Sequence, residues 1–366
     1  MNVKTLETLQ EQGIFGSLLD SGHEQVVFCH DKPTGLKAII AIHNTVLGPA
    51  LGGTRMWNYA SEQEALTDVL RLSRGMTFKA AISGLNLGGG KAVIIGDARS
   101  LKNEAFLRRF GKFVNSLNGK YITAEDVNMK TADMEYIHME TSHGTGLPES
   151  MGGGGDPSPV TAYGVYMGMK ACAKKVFGNE SLEGRRIAVQ GIGQVGMHLV
   201  EYLVKERAKV FVTDLYADKV KRIAQEFSVT AVAQDEIFDV DCDIYAPCAL
   251  GGTVNDETIG RLRCSVIAGA ANNQLKDELR HGYMLRDRSI TFAPDFLINA
   301  GGLMNVYHEY LGHYNRNRVM EQAEKIYNTC LDTLAYSDRE KLSTQEAAIR
   351  LAEKRIAEIG VLQMSR

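Results

Sequence analysis

The stretch RRIAVQGIGQVGMHLVEYLVKERAKVFVTD, residues 185–214, decides the fold of this chain. It opens with a short apolar run typical of a buried parallel strand and continues through a G-x-G-x-x-G motif into a helical pattern. A second apolar strand follows and ends in an acid. This order predicts a dinucleotide-binding βαβ unit, whose loop residues are Gly191, Gly193, Gln194, Val195 and Gly196.

The acid that closes this unit is Asp214, 18 residues past Gly196. Its carboxylate can accept hydrogen bonds from both ribose hydroxyls of a dinucleotide and would repel a 2′-phosphate. We therefore predict NAD as the cofactor rather than NADP. A helix entry on an unrelated α/β sheet is the alternative interpretation, which the ordered strand, helix, strand and acid disfavour.

Composition narrows the class of protein. A chain of 366 residues is long for one core, so two domains are expected. A net charge of −3 without a dense Lys/Arg cluster gives no reason to expect a nucleic-acid partner. Six cysteines are scattered without metal-binding spacing, which favours reduced thiols in a cytoplasmic protein and no metal site. Residues 1–15 lack the apolar core of a signal peptide, and no apolar run reaches membrane-spanning length.

Recurring strand patterns and one glycine-rich break predict how the chain is divided into domains. Short buried strands recur after residue 185 with helical segments between them, which predicts a doubly wound parallel sheet. The sequence MGGGGDPSP at 151–159 cannot hold regular structure, so we interpret it as a hinge. The predicted fold is α/β with two domains, residues 1–150 and a Rossmann domain at 151–330. A helical tail, 331–366, is expected to pack back on the first domain.

The first domain has strand and helix signals of its own. Apolar segments predict strands at 36–43, 91–96 and 121–127, with a helix over 104–117 before the last one. Ser61 and Glu64 form a capping-box pattern that is followed by apolar residues at helical spacing. We expect that helix to end near residues 75–77.

Two lysines of the first domain are candidates for chemistry. Lys91 follows three glycines and opens an apolar strand, an environment that partly removes its ammonium group from water. Desolvation and a nearby cation both lower the pKa of a lysine, which suits a general base near neutral pH. Lys79 would hold a carboxylate and favour the neutral form of Lys91. For an isolated lysine, an exposed head on a partly buried stem is the more common case.

Two acids, Glu125 and Asp126, end the predicted strand at 121–127, where α/β sheets place functional groups. A carboxylate there can orient a substrate amino group or transfer a proton. A role as a helix or turn cap is an equally good interpretation of Asp126.

Further motifs run through the chain: GPALGGTR at 48–55, then RGMTFKAA, GGGKAVIIG, TAEDV, GGDPSPVTAYGV, AVQGIGQVG, APCALGG, NNQL and INAGG. In this combination and order the chain resembles the amino acid dehydrogenases of the glutamate, leucine, phenylalanine and valine family, and most closely its leucine-using members. The resemblance extends over about residues 23–359. It implies an N-terminal substrate and oligomerisation domain, a cleft, a C-terminal NAD-binding domain, and a homo-oligomer, from dimer to octamer.

The resemblance also implies roles for individual residues. Lys79 would bind the substrate carboxylate, Lys91 would be the catalytic base, and Asp126 would assist proton transfer at the amino group. The reaction implied is oxidative deamination, in which hydride passes from Cα to NAD⁺ and water converts the imine into a 2-oxo acid and ammonia. By the same resemblance, Gly52 and Gly53 would border the substrate and Thr161 would lie by the nicotinamide. Asn273 would help to place the cofactor.

The family's side-chain pocket falls on apolar residues. Glutamate-using relatives carry a lysine where this chain has Leu51 and a hydroxyl residue where it has Val306, so glutamate is disfavoured. The pocket fits leucine, isoleucine or valine. One methylene changes binding by only about 1–3 kcal/mol, so these substrates cannot be ranked, and phenylalanine or tryptophan stays an alternative. The pocket residues are Leu51, Ala124, Leu303 and Val306.

Two other functions compete with this one. A 2-hydroxy acid dehydrogenase needs a histidine with a carboxylate and a substrate arginine, and His143 and His308 show no such pattern, nor does His313. An NAD-binding regulatory protein without catalysis would be expected to have lost one of the two lysines or Asp126, and all three are present.

Overall fold

The computed structural model describes residues 14–364, which group by their contacts into two compact units. The first unit contains the described residues up to Thr77 together with Asn86–Leu147. The second contains Phe78–Leu85 and the described residues from Pro148 onward. Most of the N-terminal stretch that was predicted not to be a signal peptide lies outside the described residues.

The first unit is built around a mixed sheet. Its strands are β1 Gln25–Asp31, β2 Leu36–Asn44, β3 Ala50–Trp57, β4 Gly88–Ile95 and β5 Tyr121–Glu125. They lie in the order β1-β2-β4-β3-β5, with β2 antiparallel to β1 and β4, and β3 parallel to β4 and β5. The three strands predicted from the sequence are confirmed with small shifts of their ends, whereas β1 and β3 were not predicted.

Helices lie on this sheet and bury both of its faces. The described helices that begin in this unit are α1 Ile14–Ser21, α2 Glu62–Ile82, α3 Glu104–Asn115 and α4 Thr131–His138. One apolar cluster joins Ile40 of β2 to Phe106 of α3, and a second joins Ile39 to Leu66 of α2. Adjacent residues of β2 thus serve opposite faces, as the two-residue period of a strand requires. Burial on both faces fixes the register that positions the ends of β3, β4 and β5.

Helix α2 is longer than its sequence predicts. The predicted cap is present, since the Ser61 hydroxyl accepts the Glu64 N–H at 3.1 Å, but the predicted end at 75–77 is wrong. The helix continues to Ile82 because Phe78 and Ile82 are buried, and this packing outweighs the low helix propensity of the glycine in its middle. The extra turn places Lys79 on a helix.

The second unit contains a parallel sheet. Its described strands are β6 Arg186–Gln190, β7 Lys209–Thr213, β8 Thr230–Ala231, β9 Ile244–Pro247, β10 Val266–Ile267 and β11 Thr291–Phe292. They lie in the order β11-β10-β9-β6-β7-β8, and all neighbours are parallel. The predicted doubly wound sheet is therefore confirmed. The strand order reverses between β6 and β9, where such sheets bind ligands beyond their carboxyl ends.

The remaining helices of the described chain belong to the second unit. They are α5 Ser158–Phe177, α6 Gln194–Lys205, α7 Ala217–Phe227, α8 Asp256–Arg261, α9 Glu278–Asp287, α10 Asp295–Ile298, α11 Gly301–Tyr310, α12 Arg316–Glu324, α13 Ile326–Glu340 and α14 Thr344–Met364. Helix α5 packs against α6 and α13 within this unit. Over residues 14–364, none of the helices combines the length and the apolar character that crossing a membrane requires.

The glycine-rich segment interpreted as a hinge is irregular between a 3₁₀ turn, Glu149–Met151, and α5. Gly154 within it is bonded to α11, because its N–H donates to Glu309 Oε2 at 2.9 Å and its carbonyl accepts from Asn305 Nδ2 at 3.3 Å. A Cβ at Gly154 would lie 2.6 Å from that Nδ2 atom. Glycine here permits close approach to a helix, and hinge motion stays a prediction.

The C-terminal tail groups with the second unit, together with residues 78–85, which the sequence analysis placed in the first domain. Arg355 of α14 accounts for part of this grouping. Its Nη1 donates to the carbonyls of Ala81 at 3.1 Å and Leu85 at 2.8 Å, at the end of α2. The contacts place the boundary between the units at Leu147 and Pro148, and the domain limits given from the sequence stay a prediction.

Candidate functional site

The glycine loop connects β6 to α6 in the second unit. Gly191 adopts φ +95°, which glycine tolerates far better than any other residue, and a Cβ at Gly196 would overlap the carbonyl oxygen of Gly191. No heavy atom lies within 4 Å of the Cβ position of Gly193, so the loop is open there. Gln194 and Val195 form the first turn of α6, whose free N–H groups can bind an anion. These features fit the pyrophosphate of a dinucleotide.

Asp214 lies directly after β7, beside the glycine loop. Its Oδ2 accepts the Ile192 N–H at 2.9 Å, and its Oδ1 accepts the Tyr216 N–H at 3.3 Å. These bonds hold the carboxylate against the loop while leaving it half-buried. Each oxygen has a further lone pair, so the group can still accept hydrogen bonds from a ribose.

Two more predicted cofactor residues belong to the second unit. Thr161 lies in the first turn of α5, where its hydroxyl donates to the Pro157 carbonyl at 3.0 Å. Asn273 has φ +52°, and its carbonyl accepts the Gly252 N–H at 2.7 Å. Asparagine is one of the few residues that adopt such a backbone readily, so this position has a structural demand as well as a predicted ligand role.

Lys91 and Asp126 form a buried ion pair in the first unit. Lys91 lies in β4 with 6% of its surface exposed, and its Nζ is 2.9 Å from Asp126 Oδ2, just beyond the end of β5. Burial raises the pKa of Asp126, but the charges of Lys91 and Arg55 outweigh burial and hold that pKa at about 2. Asp126 is therefore ionised at neutral pH, and the opposite charges are held together inside the fold.

The glycine pair of β3 lies against these two residues. A Cβ at Gly52 would overlap the carbonyl oxygen of Gly90, next to Lys91, and a Cβ at Gly53 would lie 2.9 Å from Asp126 Cβ. The Tyr121 hydroxyl donates to the Gly52 carbonyl at 2.6 Å. Both glycines are thus required by the close approach of the neighbouring strands, in addition to their predicted place beside the substrate.

Lys79 is partnered within the second unit. Its Nζ donates to Asn272 Oδ1 at 3.2 Å, and the same oxygen accepts from Asn299 Nδ2 at 2.9 Å. Asn299 also donates to the Ala270 carbonyl at 3.0 Å, which ties this amide to the loop after β10. Sequence reasoning named neither asparagine, although the NNQL and INAGG motifs contain them.

The four predicted pocket residues divide between the units. Leu51 and Ala124 are buried in the first unit, at 2% and 6% exposure, on the neighbouring strands β3 and β5. Leu303 is buried and Val306 half-buried on α11 of the second unit. The pocket itself stays a prediction.

Arg55 is the main residue that sequence reasoning missed as a site residue. Its Nε donates to Asp126 Oδ2 at 3.0 Å, and its Nη1 donates to Asp68 Oδ2 at 3.1 Å. The signal was available in the LGGTR motif, since Arg55 follows the glycine pair on the same strand. Nothing in the sequence linked it to Asp126, 71 residues away.

Other kinds of chemistry have less support in this fold. His308 Nε2 lies 2.8 Å from the Gln322 side-chain oxygen, a structural contact, rather than beside a carboxylate. Across residues 14–364, no three histidine, cysteine or acidic side chains are grouped so that they could hold a metal ion.

Two family models match the chain. The first, described as "Glu/Leu/Phe/Val dehydrogenase, dimerisation domain", matches residues 23–143. The second, "Glutamate/Leucine/Phenylalanine/Valine dehydrogenase", matches residues 152–219 and 212–363. The two models together cover both units.

Individual proteins are similar over nearly the whole chain. It is 56% identical to the leucine dehydrogenase of Bacillus cereus over 346 residues, 94% of each chain. It is 57% identical to the leucine dehydrogenase of Geobacillus stearothermophilus over 334 residues, 91% of this chain and 90% of the relative. The crystal structure of L-tryptophan dehydrogenase from Nostoc punctiforme matches with a TM-score of 0.82 and 44% identity, covering 94% of this chain and 98% of that one.

Proposed function

Because the chain belongs to the glutamate/leucine/phenylalanine/valine dehydrogenase family, we propose that it catalyses the NAD-dependent oxidative deamination of leucine, and also of valine and isoleucine. The amino acid, water and NAD⁺ give the 2-oxo acid, ammonium, NADH and a proton. The observation that carries the proposal is the buried Lys91, whose ammonium lies 2.9 Å from Asp126 beside the glycines of β3. Relatives named leucine dehydrogenase support the branched-chain substrate.

The proposed roles divide binding from proton transfer. Lys79 binds the substrate carboxylate by charge attraction. Lys91, once deprotonated, takes a proton from the water that adds to the imine carbon. Asp126 accepts a hydrogen bond from the substrate amino group, a role that suits a carboxylate whose pKa is about 2. A bound nicotinamide supplies the hydride acceptor, and burial of Lys91 strengthens the electrostatic contacts that stabilise charge in the transition state.

NAD rather than NADP is proposed from Asp214. The Ile192 N–H holds its carboxylate at the glycine loop, where the ribose of a dinucleotide would bind. Two ribose hydroxyls can donate to a carboxylate at that position. A 2′-phosphate would bring like charges together and lose the same hydrogen bonds.

The substrate class is proposed from apolar residues. Leu51 on β3 and Ala124 on β5 are buried next to Gly52 and Gly53. Neither side chain could neutralise the charge of a carboxylate on the substrate side chain. We assign the same role to Leu303 from the family resemblance, and likewise to Val306. Leu303 is larger than the valine usual in the leucine-using members, so a preference shifted toward smaller side chains is compatible with the proposal.

A panel of L-amino acids with NAD⁺ and NADP⁺, compared by kcat/KM, tests the proposal. We expect leucine, valine and isoleucine with NAD⁺ to give the highest values, glutamate to give none, and NADP⁺ to be at least about tenfold poorer. That factor corresponds to roughly 1.4 kcal/mol of lost binding. Highest values with aromatic substrates would overturn the pocket assignment, and a preference for NADP⁺ would overturn the role of Asp214. If the protein oxidised 2-hydroxyisocaproate but not leucine, the proposed reaction would be wrong.

We also propose that the protein is a homo-oligomer of the cytoplasm. The description "dimerisation domain" of the family model over residues 23–143 supports a homo-oligomer. Six free cysteines are compatible with the reducing cytoplasm. Light scattering on the eluting peak of a size-exclusion column would give the number of subunits, and a monomer at micromolar concentration would contradict the assembly.

A further inference from the structure

One carboxylate oxygen of the candidate site is shared between two cations. Asp126 Oδ2 lies 2.9 Å from Lys91 Nζ and accepts the Nε–H of Arg55 at 3.0 Å. The three side chains come from the end of β5 and from β4 and β3. Arg55 and Asp126 each expose about a quarter of their side chains, and Lys91 only 7%, so water screens these charges incompletely.

Arg55 is fixed from its other side by α2. Its Nη1 donates to Asp68 Oδ2 at 3.1 Å, and the Tyr59 hydroxyl donates to the same oxygen at 2.6 Å. Burial and the adjacent Asp68 raise the pKa of Tyr59, so that hydroxyl stays a donor. The guanidinium is therefore held in one orientation toward Asp126 by two acids on different elements.

We propose that Arg55 is a positioning residue for the amino acid dehydrogenase reaction. Arg55 orients Asp126 and weakens the electrostatic attraction between that carboxylate and the Lys91 ammonium, so that Lys91 releases its proton more readily. The inference rests on the proposed function, in which Lys91 is the base. A carboxylate that faces a single lysine stabilises the ammonium form and opposes proton release. A second, permanent cation on the same oxygen offsets that attraction. The sequence predicts Lys79 as such a cation, whereas in the first unit the cation beside Asp126 and Lys91 is Arg55.

Few other groups near Asp126 could change the pH dependence of the reaction. Arginine keeps its charge at all relevant pH values, and Asp126 stays ionised down to a pKa of about 2. These two groups therefore keep their charges over the pH range of an activity assay. The titratable and charged groups around the carboxylate are Lys91 on β4, Arg55 on β3, Tyr121 on β5, Asp68 on α2, and Tyr59 before α2.

The first test compares pH profiles of kcat/KM for leucine. In Arg55→Gln we expect the acid limb to move to higher pH by about 1 unit, the lower end of the shift that one neighbouring charge produces. Arg55→Lys retains a cation and should restore much of that shift. Arg71→Gln, at an exposed position of α2, serves as the matched control and should leave the limb unchanged. A purely structural arginine would lower activity equally at every pH and leave the limb in place, which would overturn the proposal.

A second measurement does not depend on turnover. Acetic anhydride acetylates only the neutral amine, so the pH dependence of Lys91 labelling, read by mass spectrometry, follows its deprotonation directly. We expect the labelling midpoint to rise by about 1 unit in Arg55→Gln, and less in Asp68→Asn, which loosens Arg55 and serves if the first variant does not fold. An unchanged midpoint in both variants would refute the role of Arg55. If the variants shift the midpoint but the wild-type protein oxidises no amino acid, the proposed function would be refuted and the role of Arg55 toward Lys91 would stand.

Discussion

The glycine loop of the second unit and the charge cluster of the first unit are built in different ways. The loop and Asp214 come from one contiguous stretch of 30 residues, 185–214, and present backbone N–H groups and one carboxylate as possible ligand contacts. The charge cluster collects Arg55 from β3, Lys91 from β4 and Asp126 from just beyond the end of β5. A site made of local backbone geometry is visible in sequence. A site made of distant side chains becomes visible only when the sheet order is known.

The difference has consequences for mutation. In the loop, individual glycines have separable tasks, because each one meets different atoms or none. In the charge cluster, each side chain contacts the others, so the effects of substitutions should be non-additive. Substitutions in the two regions should therefore differ in kind as well as in size.

The largest effect is expected from Lys91→Met in the charge cluster. Loss of the proposed base should lower kcat by about 10²–10⁴-fold, the usual contribution of a general base. Steady-state assays with leucine and NAD⁺ measure it, and circular dichroism checks the fold. Retention of full turnover would show that Lys91 is not the base.

A lysine of the adjacent strand provides the control for that experiment. Lys37 on β2 is exposed and its Nζ is 3.8 Å from Glu62, a surface pair of small energetic weight. Lys37→Met should therefore leave kcat within about twofold of the wild type, since surface changes of this kind alter stability by under about 0.5 kcal/mol. A comparable loss in both variants would point to damage of the sheet.

An intermediate effect is expected from a pair of alanine substitutions in the glycine loop. Gly196→Ala would bring a methyl group into the Gly191 carbonyl, so it should cost about 1–3 kcal/mol and lower Tm by several degrees. Gly193→Ala meets no atom within 4 Å and has φ −61°, so Tm should not change. It should nevertheless weaken NADH about tenfold by displacing the pyrophosphate. Thermal unfolding and fluorescence titration with NADH separate the two outcomes; normal NADH affinity in Gly193→Ala would contradict the proposed approach of the ligand.

The smallest effect is expected from two histidines of the first unit, His23 and His43, whose side chains contact α2. Burial, aided by Arg74, lowers the pKa of both His23 and His43 to about 4. His23 Nε2 contacts Ser73 Oγ at 2.7 Å, and His43 Nδ1 contacts the Thr77 hydroxyl at 2.8 Å, both on α2. The unfolded chain takes up these protons near pH 6.5 and the folded one near 4, so stability should be complete above 6.5 and fall as pH drops toward 4.

Thermal midpoints between about pH 7.5 and 4.5 would measure that loss. His43→Gln removes one of the two titrations and should flatten the slope in this window. An identical slope in the wild type and in His43→Gln would mean that other groups govern stability there.

Much of the fold could be predicted from local patterns, but element ends could not. The βαβ order around the glycine loop predicts the doubly wound sheet, since strand length, loop and acid all depend on neighbours in sequence. The end of α2 was missed by five or more residues because buried Phe78 and Ile82 extend the helix. Burial of a side chain depends on the rest of the unit, which a window of sequence does not contain.

The candidate site divides in the same way. Lys91 and Asp126 were singled out from a glycine run and a strand end, and the structure brings them within 2.9 Å. Asn272 was not anticipated as a partner of Lys79, because that contact joins residues 193 positions apart. Gly52 and Gly53 were predicted only as ligand neighbours, whereas strand packing alone requires both.

The sequence by itself determined the cofactor-binding architecture and the chemical type of the charged residues, because backbone loops and side-chain chemistry are local properties. The tertiary structure alone decided which charges meet. It joined Arg55 and Lys91 on one oxygen of Asp126, anchored Arg55 on Asp68, and ended α2 beyond Lys79. The physical reason is that electrostatic energy depends on distance and burial, and both are set by how the strands and helices pack.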